Sequence, residues 1–121
     1  MANFKSLRWD VFYIRESDIK SYKGIQLNKT RPIMVISTNK LLLDRALIVE
    51  LGSNKINENS IYFYSYTDKL GNRKDSYIFP DRIHTVYKYY LHDRNKLKNQ
   101  KVPQSVRESI LNFVKKVFKE E

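Results

Sequence analysis

His84 is one of only two histidines in this 121-residue chain. Histidine has the ordinary pKa closest to neutral, which makes His84 the first candidate for moving a proton. It closes the run Pro80, Asp81, Arg82, Ile83, His84, so a carboxylate and a guanidinium lie beside it in sequence. Asp81 would serve as a base only if burial or a like charge raised its proton affinity, and the neighbouring Arg82 works in the opposite direction. Two further residues stand where a strand meets a loop: Arg31 directly before Pro32, and Ser53 directly after Gly52. Arginine offers a permanently charged fork of donors that suits phosphate oxygens, and a serine hydroxyl can donate one more hydrogen bond to the same group. Proton transfer beside a held phosphate is the chemistry these types allow. Each also has an ordinary use, as a surface arginine, a turn serine or a strand histidine, and the residue types alone leave that choice open.

Composition narrows the setting. The chain has 23 Lys and Arg against 13 Asp and Glu, a net charge of +10, which is the electrostatic footprint of a nucleic-acid partner or of a basic solvated surface. Nine tyrosines, several beside lysine as in residues 87–90 (YKYY), add stacking faces next to phosphate partners. With no cysteine, disulfides and thiolate metal sites are excluded, and two histidines leave no histidine-rich zinc site and no cofactor signature. No apolar run approaches the roughly 18 residues of a membrane span, and the amino terminus lacks a signal-type apolar core. The expectation is a single, soluble, cytoplasmic domain over residues 1–121.

The elements that must position these residues are mostly strands. Residues 9–14 (WDVFYI), 32–36 (PIMVI), 46–51 (ALIVEL) and 61–66 (IYFYSY) are short, apolar and rich in β-branched or aromatic types. The polar stretch 15–30 between the first two reads as a long loop of the functional kind, and residues 40–44 as a helical turn or loop. Residues 69–75 (KLGNRKD) form a turn, and 76–87 read as two short strands or one bent strand, because Pro80 interrupts the ladder. After a charged connector, Ser105 and Glu108 have the spacing of a capping box, and Val106, Ile110, Phe113, Val114 and Val117 recur at helical intervals. The fold class is mainly β: a small, strongly bent antiparallel sheet with a C-terminal amphipathic helix.

Three of these pieces, in order, resemble the MazF/PemK/Kid toxin family: residues 9–14 after a basic lead, 30–37 (TRPIMVIS) and 76–88 (SYIFPDRIHTVYK). In the third, Asp81, Ile83, Thr85 and Val86 match the family pattern, with the turn at 71–75 also in register. The resemblance spans nearly the whole chain. It departs from the family at three places. Trp9 precedes Asp10 where the family has glycine; Lys23, Gly24, Ile25 and Gln26 replace the usual Gly, Glu and Gln of the first loop; and His84 stands where relatives mostly carry arginine.

The resemblance implies an SH3-like barrel of the CcdB/MazF type. It also implies a homodimer that cuts single-stranded RNA at short sequences without metal, through 2′-OH attack, and that an acidic antitoxin silences. It assigns the catalytic arginine to Arg31, the catalytic hydroxyl to Ser53 and a proposed base to Asp81; His84, singled out by its intrinsic pKa and not by the resemblance, is a second proton-transfer candidate. Lys23, Lys29, Thr30, Lys55, Arg82 and Lys88 would hold the RNA, through contacts that weaken with salt. Two alternatives share the same composition: a non-catalytic nucleic-acid-binding barrel, and a gyrase poison of the CcdB branch. The second fits less well, because the helix ends in Phe118, Lys119, Glu120 and Glu121 rather than in a short apolar and aromatic tail.

Overall fold

The computed structural model describes residues 7–19, 29–38, 44–98 and 100–119. Five strands, β1 (Val11–Arg15), β2 (Thr30–Val35), β3 (Arg45–Gly52), β4 (Ile61–Thr67) and β5 (Arg73–Tyr87), are followed by one helix, α1 (Gln104–Val117). All neighbours are antiparallel and the spatial order is β1-β2-β3-β5-β4. Four of the strands match the sequence reading to within two residues. The near-continuous apolar runs of β2 and β3 have a physical reason, because both faces of the sheet centre are covered. Val11, Met34, Val49, Leu51, Ile78 and the helix residue Ile110 pack on one face, while Phe12, Ile14, Ile33, Val35, Ile48 and Val86 pack on the other with Ile19.

β5 is one bent strand, and its bend lies at Pro80. Opposite β3 the register passes from Glu50↔Phe79 to Val49↔Ile83, which leaves Pro80, Asp81 and Arg82 without partners on that strand. A proline has no amide to give to a ladder, so a bulge is where it fits. The closed barrel implied by the resemblance is not formed by hydrogen bonds among the described residues, since the ladder ends at β1 on one side and at β4 on the other. The sheet curls nonetheless, and Tyr13 of β1 and Tyr64 and Tyr66 of β4 line a single cleft between the two edges. The first half of the β1 edge is covered by the connector, where the Leu97 amide donates to the Val11 carbonyl at 2.8 Å.

The capping box at Ser105 and Glu108 does not form. The helix begins earlier, with Pro103 as its cap residue and no side-chain cap bond, and the amides of Val106 and Arg107 both reach the Pro103 carbonyl at 3.1 Å. Ser105 is thereby inside the first turn, and Glu108 accepts from Gln104 Nε2 at 3.3 Å instead. Close to the helix start lies Trp9, the one non-glycine residue with positive φ (73°) among those described. A left-handed residue with a Cβ costs about 1–2 kcal/mol. The indole offsets this by packing against the core and by meeting two guanidiniums, Arg8 at 4.8 Å and Arg107 at 5.7 Å from the ring centroid. No helix among the described residues is long and apolar enough to cross a membrane.

Candidate functional site

Glu50 is the one charged residue in the run ALIVEL, and β3 buries it to 2% exposure. A carboxylate so placed must find partners, because an isolated buried charge is prohibitively unfavourable. The fold supplies three. His84 Nε2 donates to Glu50 Oε2 at 2.7 Å. Ile33 is the cross-strand partner of Glu50, so Arg31, two residues along β2, projects from the same face. Its Nη1 lies 3.8 Å from Glu50 Oε1, while its Nε donates to Glu16 Oε1 in a tight ion pair. The bulge delivers Arg82, whose Nη1 lies 3.9 Å from the same Glu50 Oε1 and whose guanidinium stands over the Phe79 ring at 5.4 Å. Among the described residues, Glu50 Oε1 itself finds no hydrogen-bond donor.

The cluster is graded from inside to outside. The carboxylates of Glu16 and Glu50 are 2% and 3% exposed, His84 13%, Arg31 24% and Arg82 45%. An anion arriving from solvent therefore meets the guanidiniums first and the histidine next, with the carboxylates behind them. Arg82 makes no side-chain hydrogen bond among the described residues.

Ser53 sits elsewhere. One residue past the end of β3, it is exposed and lines the cleft between β1 and β4, about 280 Å³ in volume, together with Lys29, Thr30, Tyr13, Tyr64 and Tyr66. Part of Arg31 borders this cleft as well, but its guanidinium turns to the opposite face, toward Glu16 and Glu50. The β3 position that shares that face is Gly52, which has no side chain to offer. A Cβ there would lie 2.7 and 2.9 Å from the Phe79 ring. Gly52→Ala is thus expected to push Phe79 and the arginine stacked on it, lowering stability by about 1–3 kcal/mol in a urea titration.

The remaining predicted residues scatter. Asp81 is exposed and accepts from Asn57 Nδ2 at 3.0 Å, outside the buried cluster. Lys55 is exposed in the β3–β4 loop, Lys88 is buried to 9% exposure, and Lys23 lies outside the described residues, as do residues 40–43 of the expected helical turn. In the cleft, burial first and neighbouring phenols second raise the pKa of Tyr64 above its ordinary value, and burial and Tyr66 do the same for Tyr13. These hydroxyls therefore remain neutral donors at physiological pH.

Sequence reasoning missed Glu50 and Glu16. For Glu50 the signal was present, as a lone carboxylate inside an apolar strand; for Glu16, at a strand's end, there was none. Chemically, the cluster offers a carboxylate-held imidazole with two guanidiniums in front, an arrangement able to shuttle a proton beside a bound anion. Among the described residues no group of His, Asp or Glu side chains is placed to hold a metal ion. Compared with models of known protein families and with curated proteins, the chain matches none.

Proposed function

We propose that the protein is a metal-independent endoribonuclease acting on single-stranded RNA, a toxin of the MazF/PemK kind, with the Glu50 cluster as its reaction centre. What carries this reading is convergence: Arg31 from β2 and Arg82 and His84 from β5, picked out for separate chemical reasons, meet at one carboxylate of β3. His84 takes the proton of a ribose 2′-OH as that oxygen bonds to the adjacent phosphorus. Glu50 orients the ring and stabilises the imidazolium. Arg31 and Arg82 neutralise the extra charge on the phosphorane oxygens. The bond from phosphorus to the 5′ oxygen breaks, that oxygen takes a proton from solvent, and the products are a cyclic phosphate and a 5′-hydroxyl. Arg31 Nη1 and Arg82 Nη1 stand 3.8 and 3.9 Å from Glu50 Oε1, beyond hydrogen-bond length, so their attraction to that oxygen is purely electrostatic.

Trp9 supports the family reading. Its φ of 73° is the conformation that glycine adopts without strain, and glycine is what the family pattern carries at that position. We read the curled sheet as an SH3-like barrel of this type with its β1 and β4 edges unjoined. The same reading brings a homodimer, a cytoplasmic setting, and an acidic antitoxin peptide complementary to a net charge of +10.

The test is incubation of the purified protein with long single-stranded RNA in EDTA, with mapping of fragment ends. The expected outcome is cutting at a recurring short motif, with cyclic phosphate and 5′-hydroxyl termini. Intact RNA across several sequences, with binding retained, would instead establish a non-catalytic RNA-binding module, a reading that the tyrosine-lined cleft favours on its own account.

A further inference from the structure

Glu16 follows β1 directly, in a single 3₁₀ turn of residues Glu16–Asp18, and its carboxylate is as deeply buried as that of Glu50. Its backbone is tied on both sides. The Glu16 amide donates to the Lys29 carbonyl at 2.9 Å, and the Glu16 carbonyl accepts from the amide of the fully buried Ile19 at 3.0 Å. Ile14 pairs with Arg31 across β1 and β2, and the extended backbone of Arg15 brings Glu16 out on the face of Ile14. A carboxylate on a fixed backbone therefore meets Arg31 Nε diagonally across the strand pair.

The two carboxylates act on Arg31 differently. Glu50 stands 3.8 Å from Nη1, a separation at which attraction has magnitude but little direction. Glu16 accepts from Nε, and a directional bond at that nitrogen fixes the plane of the guanidinium. An unfixed arginine spreads over many rotamers, and ordering it during the reaction would raise the barrier. We infer that Glu16 is a positioning residue: it acts through Arg31, holding the guanidinium in the orientation that meets charge growing on the phosphorane oxygens. Resting on the ribonuclease reading above, this role needs no contact between Glu16 and the substrate. The orientation has an electrostatic cost. Arg31 and Arg82 carry two positive charges and Glu16 and Glu50 two negative ones, so these four groups present no net charge to an incoming phosphate. Removing the Glu16 charge alone should therefore tighten RNA binding while it slows the reaction. A carboxylate that served only to fill the interior would, when replaced, lower the folded fraction and move neither quantity per folded molecule.

The experiment measures kcat on long single-stranded RNA in EDTA, and Kd for a fully 2′-O-methylated oligoribonucleotide of the cleaved sequence, which cannot form a cyclic phosphate. Urea titration gives the folded fraction to which each rate is normalised. Glu16→Gln keeps volume and an acceptor but loses the charge. It should lower kcat by about 10- to 100-fold and tighten Kd by about 3- to 10-fold. Glu16→Asp keeps the charge but withdraws it by one methylene, and should lower kcat by about 10-fold or more with Kd unchanged. Because Glu16 acts through Arg31, Glu16→Gln should add less than about threefold to the loss caused by Arg31→Lys. Wild-type kcat in both Glu16 variants, or a fall that vanishes on normalisation to folded protein, would overturn the positioning role while leaving RNA cleavage standing. A full additional loss of about 10-fold on top of Arg31→Lys would overturn it too. RNA left intact by the wild-type protein would overturn the ribonuclease reading and the positioning role together.

Discussion

Glu50→Ala should lower unfolding stability by about 3–5 kcal/mol in a urea titration. The reason lies in what remains rather than in what is removed. Glu50 is 2% exposed, and its departure leaves His84 without its 2.7 Å partner and Arg31 and Arg82 without the anion they face. Arg31 keeps Glu16, which limits the damage to that side. Glu50→Gln preserves volume and an acceptor for His84 while removing the charge, and a smaller loss of about 1–3 kcal/mol is expected. If Glu50→Ala lay within about 0.5 kcal/mol of wild type, the level of an ordinary surface change, the buried cluster could not be the organising feature described above.

His84→Ala should slow RNA cutting by about 10²–10⁴-fold, the usual contribution of a positioned acid–base group. The fall should appear in kcat, with KM little changed, because His84 is only 13% exposed and sits behind the two arginines. Arg82→Ala is the companion variant, expected to cost about 10²–10³-fold through lost charge stabilisation. It is preferable to Arg31→Ala, which would remove the ion-pair partner of the buried Glu16 and confound activity with folding. Ser53→Ala, on the exposed rim of the other cleft, should leave cutting within about threefold, since its hydroxyl is not on the side of the Arg31 guanidinium. A His84→Ala protein as fast as wild type would remove the cluster from the chemistry and return attention to Ser53.

Much of the framework was legible because the physics behind it is local. Apolar β-branched runs announced β1 to β4, the period of Val106, Ile110 and Val114 announced α1, and the missing amide of Pro80 announced the bulge in β5. The capping box was misread because local spacing was consistent with it, while the chain's approach to the helix, set by Pro103, was not visible in that spacing. The site was harder. Which side chains share a face depends on register, and a shift of one residue moves every side chain to the other face. Ser53 and Gly52 are adjacent in sequence, yet only Gly52 belongs to the face of the Arg31 guanidinium. The barrel was a property carried by analogy, whereas closure depends on whether β1 and β4 hydrogen-bond, which no individual residue reports.

The order of the strands also sets a timetable for a chain made from its amino terminus. β2 and β3 can each pair with the strand before it as they emerge, but β4 pairs with β5 alone. Until residue 73 onward leaves the ribosome, the segment IYFYSYT has no partner, and it is uncharged, aromatic and of high β propensity. Such segments associate with copies of themselves when left open. Nascent chains that expose β4 before β5 has emerged would thus carry an aggregation-prone segment, and chaperone demand should rise at that stage.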